Sequence, residues 1–170
     1  MAIVLSAVVS ACDTKKDEAP VIEKQVPVIE NGLMTPEVLW AFGRVGNVEV
    51  SPDETKILYS VSYYSVEQNK SNSELFVMNV DGSEKKQITK TASKEIAAKW
   101  MNDSKRIAFL SNESGSMQLW TMNDDGTGRK QLSEREGDIS DFSFSPDESK
   151  VLLVADVKYG KRTVDIHPDL

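Results

Sequence analysis

The sequence predicts an all-β fold, an incomplete β-propeller of about three four-stranded antiparallel blades, on three observations. First, Val50-Ser51-Pro52-Asp53-Glu54-Thr55-Lys56-Ile57 returns as Trp100-Met101-Asn102-Asp103-Ser104-Lys105-Arg106-Ile107 and as Phe144-Ser145-Pro146-Asp147-Glu148-Ser149-Lys150-Val151. Those copies are spaced by 50 and 44 residues. Second, Glu74-Leu75-Phe76-Val77-Met78-Asn79-Val80-Asp81-Gly82-Ser83 alternates with them and recurs as Gln118-Leu119-Trp120-Thr121-Met122-Asn123-Asp124-Asp125-Gly126-Thr127. Third, the alternating positions of this second motif are apolar on both sides, as in a blade sandwiched between neighbours.

The chain opens on an apolar, uncharged run, Met1 to Ala11. It is too short to span a bilayer but suits the core of a secretory signal. Its end, Val9-Ser10-Ala11 before Cys12, resembles the bacterial lipobox: an aliphatic residue, two small ones, then the cysteine that takes up the lipid. The resemblance implies a lipoprotein signal over residues 1–11 and an acylated Cys12. It also implies an envelope location, lipid-anchored on the periplasmic or outer-membrane surface. The positive n-region of such signals is missing, since only Met1 and Ala2 precede the apolar run. A buried strand carrying a core cysteine would not continue through the charged stretch Asp13-Thr14-Lys15-Lys16-Asp17-Glu18. Residues 12–34, with Pro20 and Pro27 and no sustained period, read as a flexible tether.

Residues 35–47 read as a short helix and lead-in. Thr35 can cap, Pro36 suits the first helical position, and Glu37 meets the positive end of the dipole. Leu39, Trp40 and Phe42 are expected to supply its packing face, with Gly43 ending it. Blades follow over about 48–92, 93–137 and an incomplete 138–170. In each, the Pro-Asp motif makes one hairpin turn and Asp81-Gly82 or Asp125-Gly126 another. Glu54, Ser104 and Glu148 stand where repeats of this kind usually carry Gly, so a type I turn without positive φ is expected there. Asn102 in place of proline is expected to weaken the middle turn. Trp100 and Trp120 are expected in the core.

Composition narrows the partners. Twenty Lys and Arg against 27 Asp and Glu give a net charge of −7, which speaks against nucleic acid and against charge-driven docking on anionic lipid. One Cys cannot form an internal disulfide, and one His cannot build a multi-histidine metal site. No cofactor is expected.

The Ser-Pro-Asp and Met-Asn-x-Asp-Gly units resemble TolB-like propeller repeats. Thr35-Pro36-Glu37-Val38-Leu39-Trp40-Ala41-Phe42-Gly43-Arg44-Val45 resembles the lead-in to the propeller of prolyl oligopeptidase family serine peptidases, the bacterial dipeptidyl and acylaminoacyl peptidases above all. Tyr159 to Thr163 and His167 to Leu170 resemble a stretch of the same propeller. The resemblance covers about residues 33–170. It implies a propeller that gates and positions peptides for a downstream α/β-hydrolase domain, making this chain an amino-terminal fragment, inactive alone, whose partners are peptides and, through the lipid, a membrane. The alternative is a non-catalytic TolB-like propeller serving as an envelope scaffold for protein partners.

No catalytic residue is assigned. The Gly-x-Ser-x-Gly elbow of such peptidases does not occur, and Ser114-Gly115-Ser116 reads as a hairpin loop. His167, the only imidazole, has no nucleophile and acid to form a triad with. Asn123-Asp124-Asp125-Gly126 lacks the remaining ligands of a calcium loop, and Gly126-Thr127-Gly128-Arg129-Lys130 lacks phosphate-loop spacing. Arg44 and the blade acids are candidates to face a central channel and touch substrate.

Overall fold

In the computed structural model, residues 21–157 are described. Helix α1 (Pro36–Ala41) is followed by ten strands: β1 (Arg44–Val50), β2 (Lys56–Ser65), β3 (Lys70–Asn79), β4 (Lys86–Gln87), β5 (Glu95–Trp100), β6 (Arg106–Ser111), β7 (Gln118–Asn123), β8 (Lys130–Gln131), β9 (Ile139–Phe144) and β10 (Val151–Ala155). They form two four-stranded sheets, in the orders β1-β2-β3-β4 and β5-β6-β7-β8, and a two-stranded sheet of β9 and β10. Every neighbouring pair within these sheets is antiparallel. This is the blade pattern expected from the repeat.

The core lies between the sheets. Residues of successive parity leave opposite faces of a strand, so each face of the second sheet meets a different neighbour. Ile107, Phe109 and Met122 pack with Leu58, Leu75 and Val77 of the first sheet. Ala108, Leu110 and Leu119 pack with Ile139 and Phe142 of the third. Trp100 and Trp120 are half-buried beside the first of these layers rather than enclosed in it.

Helix α1 starts as expected: Thr35 Oγ1 accepts the Val38 N–H at 3.3 Å, with Pro36 at the first turn. Its packing face differs from expectation. Val38 and Ala41 are 5% and 8% exposed, while Leu39, Trp40 and Phe42 are 50%, 39% and 41% exposed. In so short a helix only the i, i+3 pair shares the inward face, and Val38 and Ala41 hold it.

The Pro-Asp turns also correct the sequence expectation. Glu54 N–H donates to Ser51 C=O at 2.8 Å, Ser104 N–H to Met101 C=O at 3.0 Å, and Glu148 N–H to Ser145 C=O at 2.8 Å. These are β-turn bonds, yet the donors themselves sit at φ of 59°, 56° and 55°. A left-handed L-residue costs about 1–2 kcal/mol relative to its right-handed form, and a glycine would avoid that cost. Two of the side chains compensate by reaching the turn of the preceding blade. Ser104 Oγ accepts the Asp53 N–H at 3.0 Å, and Glu148 Oε1 accepts the Asn102 N–H at 2.5 Å. Asn102 therefore strengthens the assembly: proline would lack that N–H, and Asn102 Nδ2 also donates to Pro146 C=O at 2.7 Å.

Glu54 has no such hydrogen bond among the described residues. Replacing Glu54 by glycine should raise stability to urea by about 0.5–1 kcal/mol. Glu148→Gly, at the same φ, should lower it because the Asn102 N–H loses its acceptor. Equal gains from both would disprove the compensation.

Candidate functional site

β2 and β3 are ten residues each, against six for β6 and β7, so the first blade carries a longer hairpin at its β2–β3 end. That extension builds a cleft of about 540 Å³. Tyr64 and Lys70 line it from the hairpin, Trp40 from α1, Ala92 and Lys94 from the connection into β5, and Ile22 from the segment before α1. Ile22 is buried, and the neighbouring Glu23 carboxylate pairs with Lys90 at 2.7 Å. Both partners of that pair are exposed, so it contributes little energy.

Of the lining side chains, Trp40 and Tyr64 meet edge to face with centroids 5.4 Å apart. The Arg44 guanidinium carbon lies 4.6 Å from each ring centroid. Cation–π attraction and the two ring contacts hold this side chain in place although it is exposed.

A polar layer ties the first two blades together through Thr91, which bonds both Glu74 and Glu95. Thr89 Oγ1 donates to Glu74 Oε2 at 2.7 Å and accepts the Leu75 N–H at 2.8 Å, while the Thr91 N–H donates to Glu74 Oε1 at 3.2 Å. The second blade repeats this with an amide: Ser133 Oγ donates to Gln118 Oε1 at 2.9 Å and accepts the Leu119 N–H at 2.8 Å, and the Arg135 N–H donates to Gln118 Oε1 at 3.2 Å. Glu74 is thus a carboxyl where the repeat elsewhere uses a neutral amide. Burial is the main cause that pushes its pKa up to about 7, opposed by the Thr89 hydrogen bond and reinforced by the nearby charge of Glu95.

Glu95 is fully buried. Arg129 Nη2 reaches its Oε1 at 2.8 Å, with Thr91 Oγ1 donating to the same oxygen at 2.8 Å. Burial raises the Glu95 carboxyl, and the Arg129 charge opposes that rise. The guanidinium also lies 4.8 Å from the Phe109 centroid and 5.2 Å from that of Trp120, and pairs with Glu113 at 2.6 Å.

Cys12 and His167 lie outside the described residues, as does the stretch from Tyr159 to Leu170. Ser114-Gly115-Ser116 is the β6–β7 hairpin loop, with Gly115 at φ 100°. In the Asn123 to Gly126 stretch, Asp125 Oδ1 accepts from the Thr127 N–H at 2.8 Å and hydroxyl at 2.6 Å. Gly126 sits at φ 89°, and a Cβ there would collide with Ile88 C=O of the first blade. That glycine lets one blade's turn rest on its neighbour's backbone.

A family model described as the TolB beta propeller domain matches residues 38–167. Dipeptidyl-peptidase 5 of Porphyromonas gingivalis is 56% identical over 137 residues, which are 81% of this chain and 20% of that protein. Dipeptidyl-peptidase 5 of Porphyromonas endodontalis is 36% identical over 141 residues, 83% of this chain and 20% of that protein. The chain thus spans about one fifth of the length of these curated relatives. Among solved structures, the AtxE2 isopeptidase matches with a TM-score of 0.57 at 17% identity, over 71% of this chain and 23% of that one. The acylaminoacyl peptidase of Pyrococcus horikoshii matches with a TM-score of 0.56 at 18% identity, over 69% and 18%. These two share the fold.

Proposed function

Because the chain belongs to the TolB β-propeller family, we propose that it is the propeller part of a dipeptidyl-peptidase-like serine peptidase of the prolyl oligopeptidase family. It gates and positions peptides for an α/β-hydrolase domain, and a lipid on Cys12 holds it in the bacterial envelope. The observation that carries this is the 56% identity to a dipeptidyl peptidase across most of the chain. A cleft at one end of the first blade, large enough for a few peptide residues, is consistent with it. Chemistry then resides in the hydrolase domain, while the blades supply shape and charge.

Two measurements test the proposal. The longer polypeptide that contains this region should release dipeptides from peptide amino termini, and the 170-residue chain alone should release none. Turnover by the short chain, or none by the long one, contradicts it. Cys12→Ala should move the protein from the membrane to the soluble fraction; unchanged membrane recovery refutes the anchor.

A further inference from the structure

We infer that the cleft at the β2–β3 end of the first blade binds a peptide through a carboxylate, held by Arg44, Lys70 and Lys94. This rests on the peptidase reading for the peptide character of the ligand, and on the site's own chemistry for its charge. Lys70 and Lys94 line the cleft, and no Asp or Glu does. In a chain of net charge −7 that is a local reversal of sign. Among the described residues neither lysine has a carboxylate partner, whereas Lys56, Lys90 and Lys99 each have one.

Arg44 adds orientation to charge. Trp40 and Tyr64 lie against its guanidinium, and no hydrogen bond or ion pair among the described residues uses its N–H donors. With the two centroids 5.4 Å apart and each 4.6 Å from the guanidinium carbon, both rings lie to one side of the group, and its forked N–H donors suit the two oxygens of a carboxylate. Ring contacts also limit the rotamer freedom lost on binding. The cleft's volume of about 540 Å³ accommodates several residues of an extended chain beside Trp40 and Ile22. Such a ligand presents either an acidic side chain or a terminal carboxylate; the lysines and Arg44 recognise the group common to both.

The test is direct binding to the 170-residue protein, followed by the fluorescence of Trp40, with Trp40→Phe identifying its contribution over Trp100 and Trp120. Three tetrapeptides serve as probes: a blocked Ala-Glu-Ala-Glu, a blocked Ala-Lys-Ala-Lys, and Ala-Ala-Ala-Ala with a free carboxyl terminus. Saturable binding of the glutamate peptide, of the free-acid peptide or of both supports the inference, and tells side-chain from terminal recognition. That binding should weaken at least tenfold in the Lys70→Glu, Lys94→Glu double variant and in Arg44→Gln, and should fall with added salt. Circular dichroism establishes that the variants are folded, and all three residues are exposed. Binding of the lysine peptide alone, no saturable binding, or equal affinity in folded variants overturns it. Failure here would leave dipeptide release by the longer polypeptide unaffected, so the two proposals fail separately.

Discussion

Arg129→Met should lower the stability of the protein by about 3–5 kcal/mol at pH 8, the scale for breaking one side of a buried ion pair. Glu95 is fully buried, and one of its oxygens, Oε2, has no hydrogen-bond partner. Its other oxygen retains Thr91, at 2.8 Å, and the longer contact from Ser111, at 3.5 Å, when the guanidinium is gone. Two hydroxyls on one oxygen do not offset a buried charge. Methionine keeps an unbranched side chain but removes the guanidinium's contacts with Phe109 and Trp120 as well as the ion pair, so the charge is separated from the packing by a second substitution. Burial raises the Glu95 carboxyl and loss of Arg129 removes the charge that opposes that rise, so the defect should grow with pH and be smaller at pH 5 than at pH 8. Adding Glu95→Gln to Arg129→Met should restore most of the lost stability, because both charges are then absent. Urea denaturation at the two pH values measures all of this. A defect equal at both pH values, with no rescue, would assign Arg129 a packing role only.

Glu74→Gln should remove a fall in stability that the unaltered protein shows between about pH 5 and pH 8. The folded-state pKa of Glu74 lies near 7, above the ordinary carboxyl value of 4.5. The folded protein therefore binds the proton more tightly than the unfolded chain. The resulting stabilisation is complete below the unfolded value and is lost as pH rises through about 7. A shift of that size corresponds to about 3 kcal/mol across the window. Glutamine reproduces the neutral group that Gln118 supplies in the second blade, bonded to Ser133 as Glu74 is to Thr89. Glu74→Gln should thus match the parent near pH 5 and exceed it at pH 8. An unchanged pH profile of the urea midpoint would mean that Glu74 is ionised in the fold without penalty.

Much of the fold was legible because its signals are local. Pro-Asp and Asp-Gly turns mark where strands reverse, and apolar residues on both faces of Leu75–Met78 and Leu119–Met122 announce a sheet covered twice. The left-handed residues were not legible, because Glu54, Ser104 and Glu148 are types that ordinarily avoid positive φ. Their reason is non-local: Ser104 and Glu148 reach backbone groups about 50 residues away. Helix α1 was placed correctly but given the wrong face, since six residues are too few for a periodicity to choose Val38 and Ala41 over Leu39 and Trp40. The cleft was illegible for a related reason, since its walls come from Ile22, Trp40, Tyr64 and Lys94, which share no motif. A signal for the polar layer did exist: Glu74 and Gln118 occupy the same place in the repeat. The difference between them puts a titratable carboxyl in the first blade where the second has a neutral amide.

Stacking of repeated sheets, one apolar layer per junction, underlies every expectation above, and methyl Overhauser contacts in solution test it directly. Contacts should join Leu75 and Val77 to Ile107 and Met122, and Leu110 and Leu119 to Ile139. Contacts confined to partners within a single sheet, with none across either junction, would contradict it.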